Sequence, residues 1–447
     1  MSTSYSGASR DPSRTNVQSE PGTRSRHAPP QGGEWKLTVM RKAHRIRRPV
    51  RVGSTPIRLA AAAVSGLAIV GIAAPAAVAR TASSSLAGRA PQAFTGSDSL
   101  VSVAATSRTN AWAVGSYFVS KTHNFQPLIE HWNGRGWRIS AIPSVGSSVN
   151  TYLQGVTALS AKNAWAVGTR GSKGLIEHWN GSRWQPVAGA TIRPRNASIQ
   201  LLGVAAISAK SVWAVGSVYR ASHVTPLIEH WNGARWSVVP APDPGGLSAN
   251  DYLTGVAVSK AGAWAVGTSA PGNIYRTVVL ALVRGRWRQL KSPNPSGLGN
   301  WLGAVSAAGS HVLAAGFGGY DNPAVATPLV AHRAGSAFQL DATPDPGGLT
   351  AQDELYDVAA TTTGGWAVGR SAAQTLILRE RSGHWQKVAS PSWPSPATSL
   401  LEGVTSQRGS AWAVGQYSVE AGPISVTYSL ILHWTGTRWV RVHSPNR

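Results

Sequence analysis

The chain has 447 residues, a net charge of +24, 19 Trp, 48 Gly, 28 Pro and no Cys. The lack of Cys excludes a disulfide framework, a thiolate metal site and a Cys nucleophile, although a large core can form without such staples. Basic charge falls in two regions: residues 1–58 hold 12 Lys+Arg against 3 Asp+Glu, and the remainder holds 30 against 15.

Residues 1–58 read as a disordered basic region. Ser2–Gly33 is Ser, Pro, Gly and Arg with few bulky apolar side chains, too few to offset the entropy of ordering. The basic run RKAHRIRRPVRVGSTPIR spans Arg41–Arg58, and Leu59–Ala79 then gives 21 residues without a charge. Basic segment, apolar segment and Ala77-Val78-Ala79 before Arg80 is the order of a secretory signal. An uncleaved membrane anchor over 59–79 is the rival, since that length just spans a bilayer; the Ala and Gly content favours cleavage. Either way the remainder is expected outside the cell, secreted or membrane-anchored. Met40 stands directly before the basic run, and a start there would give a signal of ordinary length. Arg47-Arg48 has poor flanks for a twin-arginine signal. Residues 80–98 read as a linker.

From Ser99 the chain repeats. WAVG begins at Trp112, Trp165, Trp213, Trp264, Trp366 and Trp412, with a worn copy, LAAG, at Leu313–Gly316; seven copies give a period of 50. Each repeat carries four short apolar segments. The first is L-x-G-V, as in Leu153-Gln154-Gly155-Val156 and Leu401-Glu402-Gly403-Val404. The second is AWAVG, the third the LIEHW type, and the fourth a Trp followed by Val or Ile. Asn133-Gly134, Asn180-Gly181 and Asn232-Gly233 are hairpin signals, because both residues tolerate the positive φ of tight turns. Four short strands per 50 residues, seven times over, predict an all-β fold: a seven-bladed β-propeller of four-stranded blades over residues 99–443. Trp would fill the wedges between blades, and the ring would close by blade packing without strand exchange; the alternative is a strand added from residues 90–97.

LIEHWNG occurs three times, at Leu128–Gly134, Leu175–Gly181 and Leu227–Gly233. Three copies at three angles round a ring cannot converge on one substrate atom, so the repetition points to a structural device. Adjacent strand residues face opposite sides. The Glu is expected to bond a backbone group or Arg of a neighbouring blade, and the His likewise on the other face. The alternative is a repeated, lectin-style ligand site.

Other constellations are sparse. The densest acidic cluster, Asp353-Glu354-Leu355-Tyr356-Asp357, would reach one rim of the central channel with Asp345 upstream. PDPGGLSAND (Pro242–Asp251) and PDPGGLTAQD (Pro344–Asp353) are near-copies between blades, where Asp243 and Asp345 suit turn capping; the spacing matches no Ca²⁺ loop. No H-E-x-x-H, P-loop, dinucleotide fingerprint or G-x-S-x-G occurs, so no metal, no cofactor and no catalytic residue is assigned. Arg138, Arg183, Arg235, Arg286 and Arg438 flank the fourth-strand aromatic. A basic circumference discourages edge pairing and would attract polyanions such as cell-envelope polymers.

The WAVG segments and the x-x-H-W-N-G-x-x-W pattern resemble secreted propeller-repeat proteins of actinomycete-type bacteria. The repeat length is similar to kelch repeats, as in galactose oxidase, and the AWAVG strand resembles the tectonin-type lectin repeat. The resemblance covers residues 99–443. It departs from kelch in lacking the repeated double Gly, from galactose oxidase in lacking Cys, and from sialidases in lacking S-x-D-x-G-x-x-W, so no family site residue transfers. The expectation is an exported, monomeric binding module for a polysaccharide or a surface protein, with nucleic acid disfavoured. The alternative is a polysaccharide hydrolase or lyase acting at the channel mouth, which would need unrepeated polar residues converging on one face. Repeats four to six depart most from the motif. A ligand site is therefore expected at Tyr320 and Asp321 and at Asp345, Asp353 and Asp357. A scaffold for protein partners would instead use Trp301 and Trp393.

Overall fold

The computed structural model describes residues 97–446, apart from 143–147, 194, 195, 298, 320–324, 422 and 423. The expectations for the leader at 1–58 and 59–79, and for most of the linker, lie outside these residues. So do Tyr320 and Asp321.

The described chain forms seven antiparallel sheets, each of four consecutive strands in sequence order. The blades span 98–139, 151–186, 198–238, 251–290, 300–340, 353–387 and 398–442. This is the seven-bladed propeller that the period of 50 predicts. The first strand of each blade packs against the first strand of the next, and blade 7 packs on blade 1 in the same way. Among the described residues no blade borrows a strand, and the seam between blades 7 and 1 is held by side chains and a few hydrogen bonds. Arg108 Nη2 donates to the Arg408 carbonyl at 3.3 Å and Gln407 Nε2 to the Thr106 carbonyl at 3.4 Å. Ser444, beyond the last strand, donates to Glu130 of blade 1 at 2.8 Å.

The core lies between the blades. The cluster of Trp112, Val114 and Ile129 with Leu153, Val156, Ala164 and Trp184 joins blades 1 and 2, and similar clusters fill the other seams. At five seams the WAVG Trp of one blade meets the fourth-strand Trp of the next nearly edge-on, with centroids 5.1 Å apart for Trp112–Trp184 and 5.2 Å for Trp412–Trp137. Burying one indole removes about 150–250 Å² from water, roughly 4–6 kcal/mol of transfer free energy.

One irregularity recurs in every blade and positions the site. The register between first and second strands slips by one residue inside the L-x-G-V segment, or its equivalent, in all seven blades. A bulged residue is re-aimed out of the regular pleat. Here the bulged residues are Val101, Gln154, Leu202, Thr254, Gly303, Tyr356 and Glu402, and all seven line the central channel. The residue that follows faces the next blade at close quarters: a Cβ on Gly255 would stand 3.0 Å from Ala304 Cα, and one on Gly403 2.9 Å from Ser102 Cα. Small residues there let the inner strands approach.

Candidate functional site

The repeated Glu-His-Trp segment is a packing unit, and each residue faces a different neighbour. His131, His178, His230 and His433 lie against the WAVG Trp of their own blade, with centroids 4.0, 4.1, 4.1 and 4.2 Å apart. Each His Nε2 pairs with Asn110, Asn163, Ser211 or Ser410 at the start of the second strand. The expected partner in a neighbouring blade is thus replaced by one in the same blade, because the His stands directly opposite that Trp in the register. Burial holds these imidazoles below their ordinary pKa. The Trp that follows donates its indole N–H to a turn carbonyl, as Trp132 does to Arg108 at 3.0 Å and Trp179 to Ala161 at 3.0 Å. In blade 6, where the His is absent, Arg379 takes its place over Trp366, 4.7 Å from the ring centroid.

The Glu points into the seam. Glu229 accepts from the Ala190 N–H of the preceding blade's outgoing loop at 3.0 Å, as expected, and Glu130 accepts from Ser444. Glu177 is fully buried and has no hydrogen-bond partner among the described residues. Desolvation pushes all three carboxyls up to about 7. Folded Glu177 therefore keeps its proton where the unfolded chain has lost it. The stability this gives is fully present below about pH 4.5 and is lost as pH rises to about 7. Glu177→Gln keeps the shape without the charge. It is expected to match the wild type at pH 4.5 and to exceed it at pH 8 by about 2–3 kcal/mol, read from denaturant midpoints. A constant offset at both pH values would contradict this.

The channel differs in part: beside the recurring pairs such as Gly155-Val156, Gly203-Val204 and Gly255-Val256, its wall carries side chains that do not recur. It holds a cavity of about 480 Å³. Blades 1 to 4 present Val101, Gln154, Leu202 and Thr254, whereas blades 5 to 7 present Trp301, Phe317, Glu354, Tyr356, Arg370 and Glu402. Trp301, Phe317 and Tyr356 form an aromatic wall, with centroids 5.2 Å apart for Trp301–Phe317 and 6.4 Å for Trp301–Tyr356. Glu354 and Arg370 face each other across the first two strands of blade 6. Arg370 Nε donates to Oε2 at 2.9 Å and Nη2 to Oε1 at 3.0 Å, and Nη2 also reaches Gln352 at 2.5 Å. Such a two-pronged pair fixes both side chains. The Tyr356 hydroxyl donates to the same Glu354. Desolvation, together with the nearby carboxylates, holds the Tyr356 phenol well above its ordinary pKa.

Glu402 stands one blade further round. It makes no hydrogen bond to a described residue, and desolvation pushes it up to about 7. Its charge reaches Tyr356.

The expected site residues separate into two groups. Asp357 occupies the place held by Gly155, Gly203, Gly255 and Gly403 in other blades. Its carboxylate binds the Val358 N–H at 2.8 Å and the Val404 N–H of blade 7 at 2.7 Å. Asp353 is buried and caps a loop, accepting from the Gly347 N–H at 2.6 Å, and is not among the residues lining the cavity. Asp251 does the same for Gly245 at 2.8 Å in the sister loop. Asp345 and Asp243 lie against Asp353 and Asp251; burial and these like-charged neighbours raise both, Asp243 to about 6. Arg138, Arg183, Arg235, Arg286 and Arg438 are exposed on the circumference. Trp301 is 7% exposed, on the channel wall and not on an outer face. Trp393 stacks on Tyr417 at 3.8 Å, with Arg441 4.5 Å from its ring. Glu354, Tyr356, Arg370 and Glu402 were not assigned from sequence, although Glu354 and Tyr356 lie inside the acidic cluster. For Tyr356 and Glu402 the available signal was the x position of L-x-G-V, which differs in every repeat.

Among the described residues no three His, Asp or Glu side chains come together as metal ligands. No protein-family model and no curated protein matches this chain. Solved structures do. YjhT matches at 12% identity over 65% of this chain and 96% of its own, with a TM-score of 0.41. The acylaminoacyl peptidase of Pyrococcus horikoshii matches at 8% identity over 77% of this chain and 52% of its own, at 0.47. The propeller domain of the Trilobed protease from Pyrococcus furiosus, described as having an open velcro topology, matches at 8% over 77% and 95%, at 0.43. No functional residue is carried over from any of them.

Proposed function

We propose that this propeller is an exported binding module that takes a unit of a cell-envelope or environmental polysaccharide into the channel beside blades 5 to 7. The supporting observation is the convergence of Trp301, Phe317, Glu354, Tyr356, Arg370 and Glu402 on one cavity in a ring otherwise built from repeats. A concave site with an aromatic wall and a few fixed polar groups is the usual form of a small-ligand pocket. Export rests on the basic-then-apolar order of Arg41–Ala79 ahead of the propeller.

The test is retention of the purified chain on isolated bacterial cell walls and a panel of insoluble polysaccharides, at ~50 mM and ~500 mM salt. Retention at the higher salt, competed by a soluble fragment of the same polymer, is the expected result. Retention only at the lower salt would assign binding to the Arg-rich circumference and an anionic polymer instead.

Cleavage of polysaccharide at the channel mouth is the second reading, and Glu402 favours it: a carboxyl near 7 is poised to donate a proton. Hydrolysis by paired carboxylates needs a second free group. Glu354 is held by Arg370, and Asp357 by two backbone N–H groups. No increase in reducing ends or unsaturated products is expected from any polymer that is retained. A wild-type signal lost in Glu402→Gln would overturn the binding-only reading.

A further inference from the structure

The chain is strongly basic, yet its channel is not. Among the described residues the charged side chains lining the cavity are Glu354, Asp357, Glu402 and Arg370. Glu354 and Arg370 neutralise each other in a two-pronged pair. Asp357 turns toward blade 7 and spends both oxygens on backbone N–H groups. Glu402 is left as the acid with no hydrogen bond to a described residue, in a cavity whose wall includes three aromatic rings.

A carboxylate without a cationic partner is costly in such a place. Aromatic faces attract cations through their quadrupole, most strongly where water is excluded. The bulge sets Glu402 into the channel whatever its energetic cost, because the backbone irregularity is common to all seven blades. The other bulged positions are Val, Gln, Leu, Thr, Gly and Tyr, so the fold does not require an acid there.

We infer that the ligand unit entering the channel carries a cationic nitrogen, which takes its counter-ion from Glu402 and lies against the wall of Trp301, Phe317 and Tyr356. This rests on the binding reading above and names the chemistry of its ligand as an organic ammonium, such as an amino sugar bears.

The test uses the full chain with choline, whose charge does not titrate, and 3,3-dimethyl-1-butanol, its uncharged counterpart of the same shape, by calorimetry at pH 5.5 and 8. Choline is expected to bind at least tenfold more tightly than the alcohol at pH 8 and to weaken at pH 5.5 as Glu402 takes up a proton. Asp357 is also raised to about 7, the Tyr356 phenol stays protonated, and the Glu354–Arg370 pair faces the same space. The pH profile alone therefore does not assign the group; Glu402→Gln does. That variant should lose at least tenfold in choline affinity and lose the pH dependence, while Glu402→Asp, which keeps the charge, should stay within about threefold of wild type. Equal choline affinity in wild type and Glu402→Gln, or equal affinity for choline and the alcohol, would overturn the inference. A polysaccharide that is retained but not competed by choline would leave the binding reading standing and sink this one. Choline binding without retention on any polymer would do the reverse.

Discussion

Gly316→Ala is expected to yield no stably folded propeller. A Cβ at this position would stand 1.8 Å from the Trp301 carbonyl oxygen. The cause is the bulge: the extra residue pushes the first strand's backbone against the second, and only a residue without a side chain fits beneath it. The same clash, at 1.8–2.1 Å, arises at Gly115, Gly168, Gly216, Gly267, Gly369 and Gly415. Blade 5 has lost the Trp of WAVG and still keeps this Gly, which is what backbone contact, unlike side-chain packing, demands. The loss should exceed the ~4–5 kcal/mol that marks an exceptional point mutation. Gly136→Ala, where nothing lies within 4 Å, should shift the melting temperature by no more than a degree or two. A Gly316→Ala protein melting close to wild type would show that the bulge is not tight.

Trp412→Ala is expected to cost about 3–5 kcal/mol, the range for deleting a buried Trp. It should also loosen the ring at one place. Trp412 lies 5.0 Å from Trp132, 5.2 Å from Trp137 and 4.2 Å from His433. It thereby joins the last blade to the first, where no shared strand helps. Hydrogen exchange should therefore rise in Asp98–Ser107 and in the last blade before it rises in blades 3 and 4. A loss below about 1 kcal/mol, or uniform exchange, would mean that the seam is held by something other than these rings.

The fold was legible in the sequence because a propeller repeats. Seven copies of one short-strand pattern leave few other solutions, and the NG turns mark the hairpins. Counting four segments in the first and last repeats pointed to closure by blade packing, and a strand added from residues 90–97 was the alternative; all but the last of those residues lie outside the described ones. The His contacts were read onto the wrong neighbour, because strand alternation gives the face of a side chain but not the residue opposite it. That residue depends on register: His131 faces Trp112 because Gly115 pairs with Leu128.

The channel site was legible only in part. The acidic cluster contains Glu354 and Tyr356, but the expectation drawn from it was Asp353 and Asp357. It did not separate Asp357, which replaces a seam-facing Gly, from Tyr356, which the bulge turns into the channel. Arg370 sits 16 residues from Glu354 and carries no local signal at all. Glu402 lies in the repeat Leu401–Val404, where a single acid among variable residues carries no signal of its own. In a repeat protein, the position that varies while its flanks stay fixed deserved more weight than the position that recurs.

The most direct measurement compares three proteins on the same panel of cell walls and insoluble polysaccharides at ~500 mM salt: wild type, Glu354→Gln/Arg370→Gln, and a rim variant with Arg138, Arg183, Arg235, Arg286 and Arg438 all changed to Gln. The double variant removes an ion pair without changing net charge. If the channel beside blades 5 to 7 is the site, the double variant loses retention at least tenfold and the rim variant keeps it. Retention by the double variant together with loss in the rim variant would place binding on the circumference and contradict the account.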